Sequence, residues 1–235
     1  MKGLTRKEIL QMIAKVAKPL NLYGANLQNS NLSGVELKGA NLKNANLSGA
    51  NLTKADLEGA NLTGANLEYA NFSEANLKNV ILVGAKLACA KFQLSNMQES
   101  CLINADLEEA DLYGANLERS SLKKANLRNS LMAETNLSFA NLVEANLENS
   151  NLEKAYIKGA QLRNANLESA NLADANLNEA NLKMANLKNA NLQRAFLGSA
   201  NVKGASFENA NLLGANLVLV FLEDTNLTGV IGLKR

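Results

Sequence analysis

From Leu22 to Leu227 every fifth residue is apolar, an unbroken series of 42 centres with no insertion, deletion or polar exception. Thirty-five of the centres are Leu, and the others are Phe72, Phe92, Phe207, Met97, Met132, Ile157 and Val202. Two residues before each centre stands a small or apolar residue, Ala in 30 cases. One residue before it stands Asn in 27 cases and Asp in three, so the register reads A-N-L-x-x, as in Ala40-Asn41-Leu42-Lys43-Asn44. A step of five turns about 140° on an α-helix and would scatter the centres round every side. In a continuous strand an odd step would throw successive centres to opposite faces. A single inward direction for all of them therefore requires a bend in each repeat. The second position after the centre is Gly 12 times and Asn nine times, both tolerant of positive φ at a turn. Each pentad thus reads as a short extended segment plus a corner, with the centre and the small residue facing in and Asn facing out.

This A-N/D-L-x-x register resembles the pentapeptide-repeat family over roughly residues 20–229. The resemblance implies an all-β solenoid, a right-handed quadrilateral β-helix in which four pentads close a square coil of 20 residues. The 42 pentads would make about 10 coils and a rod roughly 50 Å tall at ~4.8 Å per layer. Three segments are expected: an N-terminal amphipathic capping helix over 1–19, the β-helix over 20–229 and a C-terminal tail over 230–235. Thr5-Arg6-Lys7-Glu8 has the form of a capping box, Ile9, Met12, Ile13, Val16 and Leu20 follow at helical spacing, and Pro19 stops the pattern. The alternative for this segment is a membrane-surface helix, given Lys2, Arg6, Lys7, Lys15 and Lys18.

A coil of 20 residues can be tested on charge, because residues 20 apart should stack. Glu134, Lys154, Asp174 and Arg194 alternate in sign, as do Lys38, Glu58 and Lys78. Lys54–Glu74, Lys86–Asp106, Lys91–Asp111 and Glu99–Arg119 are further opposite pairs, while Glu36 above Asp56 is an exception. Lys123, Lys124, Arg163, Lys183 and Lys203 form a basic stripe, and Glu108, Glu109, Glu148, Glu168 and Glu208 an acidic one on the next side.

Leu, Asn and Ala make up 115 of the 235 residues, with no His, no Trp and one Pro. Lacking His, the chain lacks the commonest general base and a leading metal ligand. No nucleophile–base set, Gly-rich phosphate loop or paired-carboxylate cleft is evident, and a filled rod has no interior cavity for a substrate. The reading is therefore not an enzyme, with no cofactor and no metal. A net charge of +2 and scattered outward aromatics argue against nucleic acid as a partner. No apolar run reaches the length of a membrane span, and the basic start has no small-residue cleavage site after it, so a cytoplasmic protein without stable membrane association is expected. Cys89 and Cys101 show no metal spacing and fall near opposite corners of the coil, as reduced thiols.

Two sets of residues are candidate contact sites. Ile81 and Val83 should lie over Cys101 and Ile103 as an outward apolar patch for a protein partner. Leu213, Val218, Leu219 and Phe221 place apolar side chains at outward positions near the C-terminal end, where two rods could meet as an end-to-end homodimer. The functional expectation is a non-catalytic interaction protein, a rigid solenoid presenting its outer faces to a protein. Two alternatives follow from the family resemblance alone. One is a DNA mimic that binds a type II topoisomerase (gyrase), as fluoroquinolone-resistance members do, which calls for a strongly negative surface. The other is a regulator of cell differentiation, as suggested for some cyanobacterial relatives.

Overall fold

The computed structural model describes residues 6–15 and 19–233. One helix, α1, spans Arg6–Lys15. Its Ile9 is fully buried and belongs to the same apolar cluster as Leu20 and Leu22. Thr5, Val16 and the side chains of Met12 and Ile13 lie outside the described residues.

From Asn21 onward the chain makes parallel bridges between residues 20 apart, from Asn21↔Asn41 through Asn211↔Ile231. Four pentads therefore close one coil, as the charge columns suggested. The bridging residue is the one before each centre, and it falls in turn on four faces, numbered here first to fourth from Asn21, Asn26, Asn31 and Glu36. Each face contributes a single bridging residue per coil rather than a strand of several.

The pentad 41–45 accounts for all five of its backbone N–H groups, as buried amides must. Asn41 N–H donates down to Leu20 C=O at 2.9 Å, while Leu42 and Asn44 donate up to Asn61 and Thr63 at 2.7 and 3.0 Å. Ala45 N–H closes the corner by donating to Leu42 C=O at 3.1 Å. The fifth, Lys43 N–H, donates to the Oδ1 of Asn41 at 3.3 Å. Here lies the physical reason for Asn before each centre: its side chain supplies the acceptor the backbone cannot. Its Nδ2 then donates to the Oδ1 one coil below, as Asn41 does to Asn21 at 2.9 Å and Asn171 to Asn151 at 3.1 Å. Asn is thus a rung of a side-chain ladder as well as an outward residue.

All 42 corners take positive φ at their second position, including 30 that are not Gly, with values such as 57° at Leu94 and 59° at Phe139. The corner is a β-turn with its third residue in the left-handed region, as in type II. The left-handed region costs a residue with a Cβ about 1–2 kcal/mol, so the stacking of coils imposes the turn on residues that resist it.

The centres from Leu22 to Leu212 are buried in one continuous cluster, joined from Val35 onward by the small or apolar residues between them. Phe72 and Phe92, one coil apart, stack with centroids 5.0 Å apart and planes 2° from parallel. In the last coil Leu217, Leu222 and Leu227 are only partly buried.

Candidate protein-interaction faces

The first face carries the predicted apolar patch. Ile81 bridges Cys101, and the carbonyls of Val83 and Ile103 accept from Gly64 and Gly84 at 3.0 Å each. All four residues thus sit on adjacent coils of one face. Ile81 is exposed, and Val83, Cys101 and Ile103 are half-buried. Ile81 and Cys101 stand where most coils have Asn, and Ser121 follows them, so the amide ladder is interrupted for three consecutive coils. Neither the aliphatic Ile81 nor Val83 offers water a hydrogen bond, which makes this stretch cheaper to dehydrate than the ladder around it.

The C-terminal set does not form one patch. Leu213, Val218, Leu219 and Phe221 are 56%, 62%, 70% and 80% exposed, but Leu213 sits on the third face, against Gly232, away from the other three. Leu219 and Phe221 line a cleft of about 580 Å³ with Ser199, Asn201, Lys203 and Glu223. The cleft exists because the first face opens here: among the described residues Asn201 has no bridge to Phe221, although the second and third faces continue to Asn226 and Ile231. The half-buried inward side chains Leu217, Leu222 and Leu227 add to the apolar surface at this end, and the outward-residue pattern did not point to them.

The coil register of the charges holds, but several partners differ from expectation. Lys38 and Glu58 meet at 2.7 Å, which raises the lysine and lowers the carboxyl through a shared hydrogen bond. Lys54–Glu74 is present at 3.5 Å, and Asp174–Arg194 at 2.6 Å. Lys78 reaches Glu99 rather than Glu58, Lys154 turns to Glu153, and Arg119 pairs with Glu118 while lying 5.8 Å over the Phe139 ring. Lys86–Asp106 and Lys91–Asp111 make no ion pair among the described residues; Asp106 accepts instead from Asn126 and Asp111 from Gln93. The acidic stripe is interrupted by cations: Arg128 sits 3.5 and 3.8 Å from Glu108 and Glu148, and Lys188 3.1 Å from Glu208.

The fourth face carries a shallow cleft of about 480 Å³ over Asn176, between exposed Tyr156 and Phe196. Cys89 and Cys101 are both unpaired and lie on different sides of the coil. Burial pushes the Cys89 thiol above its ordinary range, and the Glu109 carboxylate 3.6 Å away adds to the shift, the reverse of what a reactive thiolate needs.

Models of pentapeptide repeats match residues 21–59, 60–98, 170–209 and 190–229, and a pentapeptide-repeat region matches 105–182. The chain belongs to the pentapeptide-repeat family. It shares the right-handed β-helix of that family. Among solved structures it is similar to HetL, a pentapeptide-repeat protein involved in heterocyst differentiation regulation in the cyanobacterium Nostoc sp. PCC 7120. The identity is 31% over 97% of both chains, with a TM-score of 0.59. Rfr23 from the cyanobacterium Cyanothece 51142 is 30% identical over 48% of this chain and 88% of its own, with a TM-score of 0.41. QnrB1, a plasmid-mediated fluoroquinolone resistance protein, is 19% identical over 87% of this chain and 91% of its own, with a TM-score of 0.32. These last two overlap too loosely to bear on the fold. No curated protein matches the chain. No helix among the described residues is long and apolar enough to cross a membrane.

Proposed function

We propose that this pentapeptide-repeat protein is a non-catalytic cytoplasmic interaction module, a rigid rod whose first face engages a protein partner through Ile81, Val83, Cys101 and Ile103. The observation that carries the reading is the Ile81↔Cys101 bridge, which gathers four weakly hydrated side chains where polar ladders run elsewhere. Capture from native lysate, comparing wild type with Ile81→Asn and Ile103→Asn, tests it. Ile81→Asn restores the usual rung, so the fold should survive it. Loss of a bound protein supports the patch, and an unchanged set of bound proteins removes it.

A second reading, regulation of cell differentiation, is favoured by the 31% identity with HetL across 97% of both chains. Its test is the differentiation phenotype after deletion of the gene in its own host, where a normal pattern counts against it. Topoisomerase mimicry is disfavoured by the net charge of +2 and by the basic column on the first face, since a groove built for phosphates repels cations. A supercoiling assay in which saturating protein leaves gyrase and its drug sensitivity unaltered would close that option.

Two structural readings accompany the module. The segment 1–19 serves as an N-terminal cap, supported by burial of Ile9 in the cluster of the first coil. Two rods associate through the 213–221 region, supported by the exposure of Phe221 and Leu219, and light scattering at rising concentration reads the expected doubling in mass.

A further inference from the structure

One column of the first face runs through consecutive coils as Val83, Ile103, Lys123, Val143, Arg163, Lys183 and Lys203. The stacking is set by the backbone, where the amides of Gly84, Asn104, Lys124, Glu144, Asn164 and Met184 donate to the carbonyls of the last six. Elsewhere cations on neighbouring coils meet carboxylates, as at Lys38–Glu58, Lys124–Glu144 and Lys188–Glu208. Like-charged neighbours occur in twos, at Glu36–Asp56 and Glu148–Glu168, but three like charges on consecutive coils occur only here among the described residues. Lys203 has Asp224 at 3.5 Å, whereas Arg163 and Lys183 have no carboxylate within ion-pair distance among the described residues. All three cations are exposed. Like charges directly opposite in a ladder destabilise it, so this column spends stability that its neighbours conserve.

We propose that the first face binds an acidic α-helical segment of a partner protein laid along the rod axis. Its carboxylates meet Arg163, Lys183 and Lys203, and its apolar residues lie on Ile103, Val83 and Ile81. This rests on the interaction reading above and adds the chemistry of the partner. Charge complementarity selects an acidic occupant, and the aliphatic end of the same column selects a protein. A nucleic acid would leave Val83 and Ile103 against phosphate or sugar, and no row of aromatic side chains is present on this face to stack its bases. A helix pitch of about 5.4 Å against coils about 4.8 Å apart accumulates only about 1.2 Å of mismatch over the three cations. Flexible Lys and Arg side chains absorb that difference.

The test uses the whole protein with two dye-labelled probes, poly-L-glutamate and oligothymidine, read by fluorescence anisotropy at low and moderate salt. Poly-L-glutamate should bind wild type and weaken as salt rises. Arg163→Glu with Lys183→Glu should weaken it by about tenfold or more, while Lys86→Glu with Lys91→Glu on the second and third faces should leave it unchanged. Circular dichroism of both variants establishes that they fold. Equal poly-L-glutamate binding by wild type and the Arg163/Lys183 variant overturns the proposal, as does tighter binding of oligothymidine than of poly-L-glutamate. Lysate capture separates the two readings. Capture that is lost in Ile81→Asn but kept in the Arg163/Lys183 variant leaves the interaction module standing and overturns the acidic partner. Capture insensitive to both sets removes both.

Discussion

The Asp174 carboxylate accepts two hydrogen bonds from the Arg194 guanidinium one coil further on, from Nε at 2.7 Å and from Nη2 at 2.6 Å. This bidentate pairing holds the Asp174 carboxyl below its ordinary value of 3.8, chiefly through the hydrogen bonds from Arg194, with the charges of Arg194 and Lys154 adding to it. A carboxyl that titrates lower when folded stabilises the fold above its unfolded value, and that contribution is lost as pH falls through the folded value. Arg194→Ala should therefore raise the Asp174 midpoint toward 3.8, followed by carboxyl carbon NMR across acid pH. An unmoved midpoint would mean that the pair does not persist in solution.

The core predicts a graded response at mid-rod. Leu127 is fully buried between coils. Leu127→Ala should cost about 3 kcal/mol in urea unfolding through lost burial and a residual cavity. Leu127→Asp places an unpaired carboxylate in the same column and should yield no folded protein by circular dichroism.

Two buried hydroxyls, Ser95 Oγ and Ser100 Oγ, have no hydrogen-bond partner among the described residues, whereas Ser120 Oγ donates to Leu117 C=O at 2.6 Å. Replacing an unsatisfied buried hydroxyl by the Ala that most coils use removes a desolvation cost. Ser95→Ala and Ser100→Ala should each stabilise the protein by about 1 kcal/mol, and Ser120→Ala should give no gain. A shift in urea midpoint distinguishes these outcomes.

The corners offer a paired test. Ser169 holds φ at 57°, and Ser169→Gly should stabilise by about 1 kcal/mol because Gly enters the left-handed region without penalty. Gly159 holds φ at 66°, and a Cβ there would lie 2.7 Å from Cδ1 of Phe139. Gly159→Ala should destabilise by about 1–2 kcal/mol, with the thermal midpoint falling accordingly.

Much of the rod was legible along the chain because each inward position answers to a strictly local rule. A period of five with Leu at its centre leaves the backbone one economical path, and Ala two residues earlier is small enough to let that path close. The bridge from Ile81 to Cys101 followed from counting 20 residues, and so did the Lys38–Glu58 and Asp174–Arg194 pairs. The reason for Asn at the outward position was less legible. Its Oδ1 bonds to an amide two residues on and its Nδ2 to a rung 20 residues back, and the first of these is visible only once the corner has its shape.

What the sequence by itself determined is the repeat, the coil length, the buried column and the positions that share a face, because these depend on periodicity and residue size. Only the tertiary structure decided which surface charges meet where several partners lie within reach. Lys78 chose Glu99 and Arg119 chose Glu118, since a long flexible side chain has several carboxylates within reach and spacing ranks none of them. It also decided that Arg128 and Lys188 break up the acidic stripe, and that the first face parts at Phe221 while its neighbours stay joined. Such outcomes depend on distances between groups far apart in the chain, and a repeat that treats every coil alike carries no record of them.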